Sequence, residues 1–253
     1  YYKKASGVVA LCEKQGIIVR HLSDIFNTKL SRFVQDQVGG SPLLSHYTGA
    51  MNGWPFLLKR LLDFTLSIIL LLLLSPLFLL VAFLIKITSP GPVFFVQERV
   101  GLSKRRFRLY KFRTMVPDAE KMQSELELLN EVDGPAFKIK DDPRMTKIGK
   151  LLRKTSIDEL PQLFNVLRGD MSLVGPRPLP VRDYNGFDHD WHRRRFSVRP
   201  GITCLWQVNG RSDVSFEKWM ELDMEYIDHW SLSLDLKILL KTIPAVLRGS
   251  GAA

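Results

Sequence analysis

The long apolar stretch from Phe64 to Ile85 constrains the fold of this chain more than any other feature. It contains 22 residues without a charge and is dominated by leucine and isoleucine. A length of roughly 20 residues is enough to span a bilayer as a straight helix. A fully buried core helix is the alternative, but the part from Leu66 to Leu79 has no polar face. The pattern therefore predicts a segment that enters a membrane.

A break at Ser75-Pro76, in the middle of this stretch, predicts that the helix bends. Pro76 lacks an N–H group and its ring collides with the carbonyl of Leu72. The Ser75 hydroxyl can bond a carbonyl that is freed one turn back. Lys59 precedes the stretch and Lys86 follows it, and positive charge favours the cytoplasmic side for both ends. We therefore expect a re-entrant helical hairpin in the inner leaflet in preference to a single span.

The rest of the chain is predicted to be organised around this hairpin. The predicted fold class is α+β and mostly helical, a monotopic membrane protein in which a small β element packs with amphipathic helices. The predicted parts are the end of another domain with a linker at 39–42 (1–50), the re-entrant membrane helix (57–88) and a cytosolic catalytic domain (89–253). The predicted elements of the last part are strands at 93–100 and 107–115, an amphipathic helix at 117–131, and helices at 216–228 and 234–247.

The charge of the chain indicates an anionic partner. The formal net charge is +10, which suits nucleic acid, acidic lipid or phosphorylated small molecules. Basic residues concentrate in acid-free stretches at 99–113, 144–154 and 193–199, and each is as typical of a solvated or lipid-facing surface as of a site. The two cysteines, Cys12 and Cys204, form no CxxC motif. This usage argues against a disulfide framework or a structural zinc site and fits a reducing, cytosol-facing body.

The adjacent carboxylates Asp158 and Glu159 are the candidate catalytic residues. Pro161 is tolerated only in the first turn of a helix, so a helix has to begin close to Asp158, and Gly169 is a natural stop. Backbone N–H groups and the dipole at such an N-terminus favour an ionised carboxylate and bind phosphate. A nucleophilic anion and its phosphate target can therefore share this place. The alternative is a capping box in which Ser156 and Glu159 only stabilise the helix start.

Basic side chains around the pair favour a site over a cap, because a diphosphate has to be held for attack. The predicted phosphate-binding residues in these surroundings are Lys111, Arg113, Arg153 and Lys154. Candidates for nucleotide or phosphate contact further along the chain, with structural turns as the alternative, are Arg177, Arg199, Gln207 and Arg211. Asp142 and Asp170 are candidate metal or orienting carboxylates, with exposed turns as the alternative.

Several motifs occur in one order along the chain. They are KRLLDF (59–64), the helix broken at Ser75-Pro76, SPGPVFFVQERVG (89–101), YKFRTM (110–115), DPRMTKIGKLLRKTSIDELPQLFNVLRGDMSLVGPRP (142–178) and RPGITCLWQVNGRS (199–212). This set resembles the monotopic phosphoglycosyl transferases, most of all the larger hexose-1-phosphate transferases of exopolysaccharide and O-antigen synthesis. The resemblance covers about residues 57 to 250, while residues 1–50 resemble the end of a preceding Rossmann-like, non-catalytic domain. Cys204 departs from the pattern, which usually has glycine there.

The resemblance implies a two-step reaction on the cytosolic face of the bacterial inner membrane. Asp158 would attack the sugar-bearing phosphorus of a UDP-sugar and expel UMP, and the aspartyl phosphosugar would pass to undecaprenyl phosphate. Glu159 would activate the incoming phosphate or hold Mg²⁺, the implied cofactor, for which Asp158 and Glu159 are the candidate ligands. The implied partners are these substrates and inner-membrane lipids, without nucleic acid, and a homodimer is left open.

Two other classes of function stay open on the residues alone. A membrane-tethered nucleic-acid binder would use the basic stretches with Trp206, Trp219 and Trp230 for phosphate and base contacts, and would show salt-sensitive DNA binding without UMP release. A non-catalytic scaffold of a glycan assembly complex would keep its function when Asp158 is replaced by asparagine.

Overall fold

The computed structural model of the chain describes residues 32–38, 41–47, 53–122, 125–126, 130, 139, 141–186, 190–210 and 214–248. The chain forms two compact units, Tyr1–Thr48 and Gly49–Ala253. In the first unit, β1 (Arg32–Val38) and β2 (Ser41–Tyr47) pair as an antiparallel hairpin. The predicted linker at 39–42 is wrong in its second half, because the chain there has already entered β2, and its first half lies outside the described residues.

The second unit begins with a bent pair of helices, α1 (Trp54–Leu73) and α2 (Ser75–Thr88). Their axes differ by 61°. Pro76 lies in the first turn of α2, and the Ser75 hydroxyl donates to the carbonyl of Leu72 at 2.8 Å. The predicted break is therefore confirmed. Within the described residues, no single helix is long and apolar enough to cross a bilayer, and this bent pair reaches that length and composition only when its two halves are taken together.

The remaining elements of the second unit are short strands and helices. The strands are β3 (Phe94–Val100), β4 (Arg106–Phe112), β5 (Ser172–Val174), β6 (Leu179–Pro180) and β7 (Gly201–Thr203). The α-helices are α3 (Lys147–Lys154), α4 (Gln162–Arg168), α5 (Val181–Asn185), α6 (Leu205–Val208), α7 (Phe216–Asp228) and α8 (Leu232–Arg248). The 3-10 turns used below are Ile157–Glu159 and Asp190–Ser197. The predicted class, α+β and mostly helical with a small sheet, is confirmed.

Two strands of the main sheet, β3 and β4, are those that the sequence pattern predicted, and the third, β6, was not predicted. β3 pairs antiparallel with β4, with Val100 opposite Arg106, and its other edge pairs with β6. β5 and β7 form a separate parallel pair. The helices α7 and α8 confirm the two late helices. The helix predicted at 117–131 is wrong over its described first residues, which form turns, because Asp118 adopts a left-handed φ of 62° that no right-handed helix contains.

One face of α1 is held against the rest of the unit by buried charges. The Lys59 ammonium donates to the Asp235 carboxylate of α8 at 2.6 Å. Asp63 accepts hydrogen bonds from the Ser172 hydroxyl at 2.7 Å and from the backbone N–H of Leu173 at 3.2 Å. A buried charge is tolerated only when it is paired or hydrogen-bonded, so these contacts fix the position of α1 on α8 and β5.

A hydrophobic cluster joins α2 to β4 and α3. Its buried members are Val81 and Ile85 of α2, Phe112 of β4 and Leu152 of α3, and Ile157 packs against them. Burial of each such side chain contributes about 1.5–3 kcal/mol. The bent helix pair is therefore part of the packed structure that surrounds the 3-10 turn Ile157–Glu159.

Cys204 is accommodated without backbone strain at the position where glycine is usual. Its φ of −155° and ψ of 172° are extended backbone that any residue adopts, and the side chain is buried. The departure from the family pattern therefore leaves this loop in an ordinary conformation.

Candidate active site

The Asp158-Glu159 pair lies in a tight turn between α3 and α4. Ser156 enters the turn in a left-handed conformation, with φ 56°, and its side chain caps no backbone N–H. The capping-box alternative is therefore wrong, and the Glu159 side chain points to other partners. The 3-10 turn is followed by Pro161 and then α4, so the expected helix start near Asp158 is confirmed.

Glu159 is held by two cations. The Lys111 ammonium of β4 donates to Glu159 Oε1 at 2.7 Å, and Arg177 Nη2 donates to the same oxygen at 2.8 Å. Although burial acts in the opposite direction, Arg177 and Lys111 hold the pKa of Glu159 far below its usual range. Glu159 is consequently ionised at every physiological pH. Its negative charge holds the side chains of Lys111 and Arg177 in place.

Asp158 occupies a different electrostatic environment. It is 5 % exposed, and its Oδ2 lies 3.8 Å from the Lys111 ammonium, too far for a hydrogen bond. Burial raises the pKa of Asp158 to about 6, with Lys111 opposing the rise and the neighbouring Glu159 charge adding to it. The carboxylate is thus ionised at neutral pH while more basic than an ordinary aspartate, which suits a nucleophile.

Arg153 lies close to Asp158 through the packing of α3. Its Nε donates to the Thr114 hydroxyl at 3.2 Å, and its charge acts to lower the pKa of Asp158. Gly149 makes this position available, because a Cβ there would stand 1.9 Å from the Thr114 carbonyl oxygen. Only glycine lets α3 approach the chain after β4 this closely.

Arg177 is positioned from behind by a second buried pair. Arg195 Nη2 donates to the main-chain carbonyl of Arg177 at 2.8 Å and also lies 2.8 Å from Asp223 Oδ2. The side chains of Arg195 and Asp223 are 1 % and 2 % exposed. The Arg177 side chain is 30 % exposed, so it reaches Glu159 while it stays accessible to a substrate. Sequence reasoning missed this support, since no local pattern links Arg195 to Asp223.

Other predicted phosphate-binding residues are placed elsewhere. Arg113 donates to the carbonyl of Ser89 at 2.8 Å and to that of Pro90. Lys154 is exposed at the end of α3. Arg199 Nε donates to the Gly169 carbonyl at 2.8 Å, beyond the far end of α4.

The next predicted contact, Gln207, lies in α6. Gln207 Oε1 accepts from the Cys204 thiol at 3.0 Å, and Arg211 lies outside the described residues. The structure therefore brings Lys111, Arg153 and Arg177 to the carboxylate pair, and it does not bring Arg113, Lys154, Arg199 or Gln207 there.

The residues present fit a metal that is bound mainly by substrate. In the described part of the chain, His, Cys, Asp and Glu form no group of three or more that could hold an ion. Asp142 is held by Arg144 at 2.6 Å, and Asp170 lies 3.4 Å from the Asn165 side-chain amide. Mg²⁺ is commonly bound by one or two carboxylates together with substrate phosphates. Both cations bind Glu159 through Oε1, so Glu159 Oε2 and the Asp158 carboxylate are the oxygens that could provide such a set.

Comparisons with known proteins find similar sequences over most of the chain. The family model described as "Bacterial sugar transferase" matches residues 54–249. The chain is 49 % identical over 195 residues to the galactosyl transferase CpsE of Streptococcus agalactiae, covering 77 % of this chain and 43 % of the relative. It is 41 % identical over 211 residues to the exopolysaccharide production protein ExoY of Sinorhizobium fredii, covering 81 % and 92 %.

A further relative is the UDP-glucose:undecaprenyl-phosphate glucose-1-phosphate transferase of Klebsiella pneumoniae. It is 38 % identical to the chain over 232 residues, which cover 89 % of this chain and 48 % of the relative. The match thus spans less than half of CpsE and of the Klebsiella transferase, and most of ExoY.

Proposed function

The chain belongs to the bacterial sugar transferase family, and from this premise we propose that it transfers hexose 1-phosphate from a UDP-sugar to undecaprenyl phosphate. The products are UMP and undecaprenyl-diphospho-sugar, and the reaction is the first membrane step of exopolysaccharide or O-antigen synthesis. The name of the Klebsiella relative contains both a UDP-sugar donor and the undecaprenyl-phosphate acceptor, and this supports these substrates.

The difference between the two carboxylates carries the proposal. Glu159 is locked by Lys111 and Arg177, whereas Asp158 has a raised pKa and no hydrogen bond at its Oδ2 from Lys111, 3.8 Å away. A carboxylate that is ionised yet comparatively basic is the better nucleophile of the two. We therefore assign the attack to Asp158 and the fixing of the cations to Glu159.

The reaction proceeds in two displacements at phosphorus. An Asp158 oxygen attacks the sugar-bearing phosphorus, the bond from that phosphorus to the UMP oxygen breaks with its electron pair leaving on UMP, and an aspartyl phosphosugar forms. A phosphate oxygen of undecaprenyl phosphate then attacks the same phosphorus, and Asp158 leaves as the free carboxylate. Arg177, Arg153 and Lys111 hold and neutralise the phosphate oxygens during both steps.

Mg²⁺ is the proposed cofactor, held by Asp158 and Glu159 together with the donor diphosphate. When bound, it supplies charge neutralisation that makes UMP a better leaving group. The chain's own share is to keep Glu159 ionised through its two cations, so that the site is charged before the donor arrives.

The α2 cluster supports a membrane arrangement of the site. Ile157 packs against the buried cluster that contains Val81 and Ile85 of α2, so the turn that holds Asp158 adjoins this cluster. We place this pair as a re-entrant hairpin in the cytosolic leaflet of the inner membrane, where a lipid phosphate reaches Asp158 from the headgroup layer.

Trapping of the covalent intermediate tests the proposal. The full chain in membranes is incubated with each of a panel of UDP-sugars without acceptor lipid, and UMP release and peptide masses are measured. One UDP-sugar should release UMP and add a hexose phosphate to the peptide that contains Asp158. Asp158→Asn should show neither, while the matched control Asp170→Asn should show both. UMP release by Asp158→Asn at the wild-type rate would overturn the mechanism.

A further inference from the structure

A cavity of about 230 Å³ opens at the base of α1, away from the catalytic turn. The residues that line it include Phe56, Arg60, Leu102, Ser197 and Arg199. The cavity adjoins the C-terminal end of α4, because Arg60 contacts the carbonyls of Val166 and Leu167 there. Asp158 precedes the opposite end of α4, on the order of 10 Å away along the helix. The cavity is therefore separate from the proposed sugar-transfer site.

Two guanidinium groups meet at this cavity without a carboxylate partner among the described residues. Arg60 donates to the carbonyls of Val166 at 2.6 Å and Leu167 at 3.0 Å. Arg199 donates through Nε to the Gly169 carbonyl at 2.8 Å. A guanidinium has five N–H donors, so both groups keep donors for a further ligand. Burial lowers the pKa of Arg199, and the adjacent Arg60 charge adds to this.

The other charged residues at the cavity are already satisfied. Lys59 is paired with Asp235 at 2.6 Å, and Asp63 accepts from the Ser172 hydroxyl at 2.7 Å. Asp63 also attracts Arg199 and lies 3.7 Å from Lys59, so its single negative charge offsets only part of the charge of the two arginines. The cavity wall is left with an excess of positive charge that an anion would balance.

An unpartnered hydroxyl points to the same ligand. Ser197 lines the cavity, and its Oγ is buried without a hydrogen-bond partner in the described part of the chain. A buried hydroxyl without a partner destabilises the fold unless a ligand or water satisfies it. A phosphate oxygen between Arg199 and Ser197 would accept from both.

The cavity opens beside the apolar surface of α1. Trp54 is 84 % exposed and Leu57 is 57 % exposed, in the same helical turn as Phe56. The Arg199 guanidinium lies over the Phe56 ring, 5.2 Å from the ring centroid. Aromatic residues beside basic ones are typical of the membrane–water interface. A ligand in the cavity would thus have its charged group in the protein and its apolar part against α1.

We propose that this cavity binds the phosphate group of a membrane lipid, through Arg60, Arg199 and the Ser197 hydroxyl. Its volume is below the roughly 300–1,000 Å³ of ordinary small-molecule pockets, which suits a headgroup phosphate and excludes a nucleotide-sugar. The lipid is either an anionic phospholipid that fixes α1 or the polyprenyl phosphate acceptor at a docking position before transfer. Both share the phosphate chemistry that the cavity recognises.

Native mass spectrometry of the full chain in nonionic detergent tests the proposal. Phosphatidylglycerol, undecaprenyl phosphate and inorganic phosphate are titrated separately. The wild-type chain should bind one lipid molecule. Arg199→Gln should raise the Kd for this lipid about tenfold, because one charge-assisted contact is lost. Arg199→Lys should retain most of the binding. Ser197→Ala, which keeps both arginine contacts with α4, should weaken it a few-fold if the fold is intact by thermal unfolding.

Controls separate this site from general membrane electrostatics and from catalysis. Lys86→Gln removes an equal charge at the exposed end of α2 and should leave one-to-one binding unchanged. Asp158→Asn should bind phosphatidylglycerol like the wild type, so failure of the proposed function leaves this result readable. Equal weakening by Lys86→Gln and Arg199→Gln, no one-to-one lipid on the wild-type chain, or displacement of the lipid by equimolar inorganic phosphate would each overturn the proposal.

If the weakening by Arg199→Gln is confined to undecaprenyl phosphate, the cavity is the docking position of the acceptor, and the KM for that lipid should rise by a similar factor. If phosphatidylglycerol is weakened as well and competes with undecaprenyl phosphate, the cavity takes either lipid phosphate. Both results support the site and identify its occupant.

Discussion

Replacement of Asp158 by asparagine is expected to stabilise the fold while it removes sugar-phosphate transfer. Burial raises the pKa of Asp158 from its ordinary 3.8 to about 6. At neutral pH, where the group is ionised, this shift destabilises the folded state by about 3 kcal/mol. Asparagine carries no charge, so this cost disappears. The value is an upper limit because the attraction of Lys111, 3.8 Å away, is lost too. A change of this size raises Tm by up to roughly 6–12 °C.

The gain should depend on pH in a direction that the pKa fixes. The folded chain binds a proton at Asp158 more tightly than the unfolded chain does, so wild-type stability from this group is highest below pH 4 and is lost as the pH rises towards about 6. The advantage of Asp158→Asn therefore grows between about pH 4 and 6 and is complete above that. Thermal unfolding in detergent, followed by tryptophan fluorescence at pH 4.5 and pH 8, measures it.

The adjacent residue provides a control of opposite sign. Glu159→Gln leaves the half-buried Lys111 and Arg177 beside a neutral group, and the loss of their charged hydrogen-bond partner should cost about 1–3 kcal/mol. Its Tm should fall where that of Asp158→Asn rises. An Asp158→Asn protein no more stable than wild type at pH 8, or equally stabilised at both pH values, would refute the electrostatic reasoning.

Three further predictions concern rate, positioning and topology. The kcat/KM for UMP release should fall about tenfold per pH unit below pH 6, because Asp158 must be ionised to attack; a flat profile down to pH 5 contradicts this. Asp223→Asn should lower kcat about 10–100-fold with little change in KM, because it loosens Arg195, which positions Arg177. Equal losses in both constants would indicate general misfolding. Cysteine labels at positions 58 and 88 should react from the same side of the membrane, whereas Pro76→Leu should move some chains to opposite-side labelling; opposite sides in the parent protein would establish a span.

The sequence predicted those features that depend on neighbouring residues. The bend at Pro76 follows from a missing N–H group and a steric clash within one turn, and β3 and β4 follow from the β-branched and aromatic content of each segment. The position of Asp158 before α4 follows from the tolerance of proline in a first turn. Each of these causes acts over four residues or fewer, so it is visible in the chain itself.

The choice among the basic residues could not be predicted, because it depends on where elements end. Lys111 and Arg113 would share one face of a continuous strand, but β4 ends at Phe112, and Arg113 turns to the carbonyls of Ser89 and Pro90. A helix turns about 100° per residue, so Arg153 and Lys154 on α3 point in different directions.

The contacts of Glu159 with Lys111 and Arg177 also could not be predicted from any local sequence pattern. Glu159 meets Arg177 and Lys111 from positions 18 and 48 residues away, and the Arg195–Asp223 pair joins two further elements. Only the packed structure decides that these side chains, and not their basic neighbours, surround the carboxylates.

The cluster between α2 and the turn Ile157–Glu159 makes the bent helix pair an integral part of the folded unit. Val81 and Ile85 are 3 % and 1 % exposed. They belong to the same buried cluster as Phe112 and Leu152. Deleting the hairpin to obtain a water-soluble version would uncover these side chains and remove the support behind residues 157–159. Solubilisation of this protein should therefore substitute the outward-facing leucines of α1 and keep the inward-facing half of each helix.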